Sequence, residues 1–128
     1  MNDKVLYWIE LSDYDLETAD AMLQTKRYLY VGFMCHQSIE KLIKAVLSQN
    51  SGEIPPKVHN LIRLAESAKL LEQMNAEQKK TIFLLNPLNI ESRYPSYKDT
   101  LLKQLTAEKC SEIIKQTKEL AQWIKTQL

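Results

Sequence analysis

The chain has 128 residues, enough for one domain that buries roughly two thirds of its unfolded surface without disulfides or metals as staples. Seventeen basic residues against sixteen acidic ones leave a formal net charge of +1, so affinity for nucleic acid or an anionic membrane must come from a local patch. No stretch approaches the roughly 18 consecutive apolar residues of a membrane span, and the acidic opening MNDKVLYWIELSDYDLE has no apolar run of the kind a secretory signal needs. The expectation is a cytoplasmic protein with no membrane association.

β-branched alternation is nearly absent, and helical periodicity decides. Val5, Ile9, Leu16, Ala19 and Leu23 share one face, which predicts a first helix over residues 3 to 24. In YVGFMCHQSIEKLIKAVLSQN, Val31, Cys35, Ile39, Leu42 and Val46 line one face of a second helix, and Gly32 beside them suggests close packing against a neighbour. Asn50 and Gly52 suit a left-handed stop, and Pro55-Pro56 cannot continue the helix. Asn60 can cap a short third helix carrying Leu61, Leu64, Ala65 and Ala68. Asn75 with Gln78 resembles a capping box for a fourth, which runs through Ile82 and Leu85 and stops before Pro87. From Asn86 to about Lys98 there is no period and there are two prolines, so the segment reads as loop. Thr106 can cap a last helix striped by Cys110, Ile113, Ile114, Thr117, Ala121 and Ile124. The fold class is all-α, an up-and-down bundle of four to five helices, with no repeat and no interdomain linker. Cys35 and Cys110 fall on apolar stripes and read as buried thiols.

No glycine-rich phosphate loop, Cys-x-x-Cys or His-Glu-x-x-His occurs, so neither a cofactor nor a metal site is expected. His36, Glu40 and Lys44, spaced by four, form a polar row opposite the apolar face of the second helix. Two readings stand: a functional row in a cleft, or the commoner solvated face with i,i+4 pairs worth about 0.2–0.5 kcal/mol each. His59 follows two prolines, and its ring can simply tether the link by a hydrogen bond. The stretch ESRYPSYKD concentrates a different chemistry. Arg93 offers a planar fork of donors for phosphate, Tyr94 and Tyr97 offer faces for stacking, and Pro95 limits the freedom of the backbone. They can hold a nucleotide or single-stranded RNA, or the tyrosines can anchor a loop while Arg93 pairs with Glu91.

Together YDLETADAMLQTKRYLYVGFMCHQSIEKLIKAVL, IPPKVHNLIRLA and LNPLNIESRYPSYKD, in that order, resemble the HEPN domain, a small helical domain associated with minimal nucleotidyltransferases. The resemblance spans nearly the whole chain and implies that residues 1–128 are one HEPN-like helical domain that forms a homodimer. In ribonuclease members an arginine and a histidine separated by four to six residues form a metal-independent active site. Arg93 matches the arginine, but positions 98, 99 and 100 hold Lys98, Asp99 and Thr100. An ordinary lysine, with a pKa of about 10.4, is a poor general base at neutral pH.

Three readings follow from the resemblance. The first is a non-catalytic module that binds a nucleotide, RNA or a partner nucleotidyltransferase through Arg93, Tyr94, Tyr97 and Lys98, with His36, Glu40 and Lys44 as a second row, in a toxin–antitoxin-like pair. There Tyr94 or Tyr97 is a candidate target of nucleotide transfer. The second is a ribonuclease using Arg93 with a non-standard second group. The third is a dimerisation domain without a ligand, for which Tyr7 and Trp123 are candidate surface residues.

Overall fold

The computed structural model describes residues 2–52, 55–89 and 95–128, with the backbone alone at residues 95–98. Among these, the elements in chain order are α1 (Asp3–Gln24), α2 (Tyr28–Ser51), α3 (Leu61–Ser67), α4 (Ala76–Leu85), α5 (Pro95–Gln104) and α6 (Ala107–Thr126), with short 3-10 turns at Leu71–Gln73 and Asn86–Leu88. No strand occurs among the described residues.

The helices begin where side-chain acceptors are available for their free amide groups. Asn2 accepts from the Val5 amide, Asn60 from Ile62 and Arg63, and Thr106 from Lys109. Asn75 and Gln78 form a reciprocal capping box at 2.9 Å each way. α2 stops at Gly52, whose φ of 71° is readily adopted only by a residue without Cβ.

α2 is the central element. α1 packs along it, α6 lies against another side, and α3, α5 and the turn at Asn86–Leu88 cover the rest. Ile39, Leu42 and Ile43 are consequently enclosed, together with Leu61, Leu64, Ile82, Leu85, Ile113, Leu120 and Ile124. Each such side chain contributes about 1.5–3 kcal/mol of apolar burial. Gly32 does make a close approach, to the 3-10 turn: a Cβ there would stand 3.1 Å from Leu88 Cδ1. α6 runs antiparallel to α1, since Asp20 pairs with Lys118 and Asp13 with Lys125, at 3.0 and 2.6 Å.

Two expectations need correction. The segment from Asn86 to Lys98 is not all loop: a 3-10 turn takes Asn86–Leu88, and α5 already includes 95 to 98, giving six α-helices among the described residues. Pro95 opens that helix, where its fixed φ is pre-set and its missing N–H is not needed. Trp123 is not a free surface residue but packs, half-buried, against the core. Tyr7 does lie outside, at 58% exposure.

Candidate functional site

The polar row of α2 is not a solvated face. His36, Glu40 and Lys44 are all buried. Cover comes from distant sequence: Trp8 of α1, whose ring has Lys44 Nζ 5.8 Å from its centroid, and His59 in the link before α3. Glu40 is the hub. Its Oε2 accepts from Lys44 Nζ at 3.0 Å, and both its oxygens lie 3.1 Å from His59 Nδ1. Because a carboxylate only accepts, His59 Nδ1 carries the proton, and in the neutral ring Nε2 is the basic nitrogen. The His59 side chain retains 47% exposure, so this imidazole joins the interior to solvent.

His36 is different. It is fully enclosed, Glu40 Oε1 lies 3.9 Å from its Nδ1, and neither ring nitrogen has a hydrogen-bond partner among the described residues. Burial lowers its pKa to about 4; the Glu40 carboxylate opposes that shift and His59 adds to it. At neutral pH the ring is uncharged and shielded from any substrate.

A second buried polar seam joins α1 to α2: Ser12 Oγ donates to the Ser38 carbonyl at 2.9 Å, and Lys41 pairs with Asp15. Neither pair is visible in the periodicity of a single helix. Both cysteines are free and buried as expected. Burial raises the Cys35 thiol to about 12 and the Cys110 thiol to about 11, so neither is a nucleophile at neutral pH.

Arg93 and Tyr94 lie outside the described residues, while Tyr97 and Lys98 fall in the first turn of α5 by backbone position. The structure therefore gathers His36, Glu40, Lys44 and His59 into one cluster. What the sequence did not single out is the part played by Trp8 and Ser48. An aromatic near the start of a helix and a serine near the end of another carry no pattern of their own.

The fold and the buried charge cluster define an all-helical bundle built around one central helix. The family model of the HEPN domain matches residues 5–127, and the chain belongs to that family. Among solved structures it is similar to the crystal structure of TT1696 from Thermus thermophilus. The two share 19% identity over 99% of this chain and 100% of that one, with a TM-score of 0.79. No curated protein matches the sequence. Among the described residues no helix is long and apolar enough to cross a membrane.

Proposed function

We propose that the protein is a non-catalytic HEPN module that forms a homodimer and binds a nucleotide, an RNA or a partner minimal nucleotidyltransferase, as one component of a toxin–antitoxin-like pair. The observation that carries this reading is the enclosure of His36. Lys98, Asp99 and Thr100 stand where a ribonuclease of this family would place its histidine. His36, one of only two histidines in the chain, is buried, neutral and out of reach of a phosphodiester. Arg93, Tyr94, Tyr97 and Lys98 then act by charge and stacking, and Tyr94 or Tyr97 is the acceptor if a nucleotide is transferred. Leu6 and Tyr14, exposed on α1, support a face for a second copy.

One observation favours the ribonuclease alternative. His59 is the other histidine, and Glu40 orients it with Nε2 as the basic nitrogen, an arrangement suited to proton abstraction. A single experiment separates the readings: labelled mixed-sequence RNA and labelled nucleotides are incubated with the protein in a metal chelator, and retention and cleavage are read together. Retention without cleavage is expected, weakened about tenfold or more in a Tyr94→Ala, Tyr97→Ala double variant, as loss of base stacking requires. Cleavage abolished by both Arg93→Ala and His59→Ala would replace the binding module with a nuclease. Retention of neither ligand by the wild type would reject the ligand-binding role.

A further inference from the structure

A cleft of about 310 Å³ opens where the amino end of α1 meets the carboxyl end of α2, lined by Asp3, Lys4, Tyr7, Trp8, Ser48 and Pro55. That volume lies at the lower end of small-molecule sites. The walls are predominantly apolar. Tyr7 and Trp8 meet edge to face, with centroids 6.1 Å apart and ring planes at 63°. Lys44, fixed by Glu40, holds its ammonium near the Trp8 ring.

The informative atom is Ser48 Oγ. Thr18, Ser51, Thr81 and Thr117 return their hydroxyls to the carbonyl four residues earlier, and Ser12 donates its own to the Ser38 carbonyl. Ser48 is only 2% exposed, yet its hydroxyl has no partner among the described residues. A buried hydroxyl without a bond is unfavourable, and a group entering the cleft would relieve it. Among the described residues, charge at the cleft is balanced: Asp3 offsets Lys4, and Glu40 already neutralises Lys44.

We propose that this cleft binds a small, uncharged, planar heteroaromatic molecule. Its ring lies against Tyr7 and Trp8, and a nitrogen or oxygen on its edge bonds the Ser48 hydroxyl. Aromatic walls favour a flat ring, the unpartnered hydroxyl requires a polar edge, and the balanced rim gives no advantage to a phosphate. The site uses none of the residues assigned above to the segment around Arg93.

The test titrates 15N-labelled protein with adenine, benzimidazole and quinoline, followed at the Trp8 indole N–H. At least one probe is expected to give a saturable shift in the millimolar range or below. Ser48→Ala, which deletes only the unpartnered hydroxyl and leaves the amide spectrum folded, is expected to weaken it about fivefold, the size of one net hydrogen bond. Adenosine triphosphate is expected to bind no more tightly than adenine. The proposal is overturned if none of the three probes saturates or if Ser48→Ala binds as tightly as wild type. Tenfold tighter binding of the triphosphate would also overturn it, because charge would then select the ligand. Retention of RNA in the Tyr94, Tyr97 experiment bears on the other site alone, so the two outcomes are independent.

Discussion

Glu40 is the residue on which most of the buried charge depends. It compensates the buried ammonium of Lys44 and orients His59. Glu40→Ala would leave Lys44 enclosed without a counter-charge, and removing one partner of a buried pair costs about 3–5 kcal/mol. Denaturant unfolding should show a loss of that size, and Lys44→Met added to Glu40→Ala should restore most of it. Equal stability of the two variants would show that the pair is not energetically coupled. His36 makes a separate prediction. Its unfolded pKa of 6.5 is lowered to about 4 on folding. Between those values the unfolded chain binds more protons, so the contribution of His36 is full above pH 6.5 and is lost as the pH falls toward 4. The limiting slope for one proton is about 1.4 kcal/mol per pH unit. Unfolding measured from pH 4 to 7 should lose this component in His36→Leu, and an unchanged profile would locate the titration elsewhere.

At the scale of the element, what the sequence disclosed was set within a few residues. Asn60, Asn75 and Thr106 cap the helices they precede, because a cap needs only a short acceptor and amides two or three positions on. Asn75→Ala should therefore cost about 1 kcal/mol by thermal or denaturant unfolding, with helix content retained. A loss near zero would mean that the Gln78 half of the capping box suffices. α5 escaped the same reasoning for a physical cause. Two prolines and an irregular apolar pattern suggest a loop, yet proline is compatible with a first helical turn, and tertiary packing of Leu101 and Leu105 replaces the missing periodicity.

Across the whole molecule the bundle was legible because apolar stripes recur at helical spacing, whereas the character of the polar row was not. The spacing of His36, Glu40 and Lys44 places them on one face of α2, but whether that face meets water depends on Trp8 and His59. Those residues lie far from the row along the chain, and a helical wheel cannot see them. The same limit applies to Ser48: its burial, its unused hydroxyl and the aromatic pair beside it coincide only when α1 is laid along α2. Buried polar groups of this kind specify one arrangement of helices over the alternatives that a purely apolar stripe would permit.

The enclosure of both cysteines has a practical corollary. With Cys35 and Cys110 sealed inside and held as thiols, the native protein offers no ready attachment point for a thiol-directed probe. A cysteine substituted for Ser111, which is exposed on α6, would then be the sole readily reactive thiol of the native chain. A spin label or fluorophore could be attached there without first mutating the core.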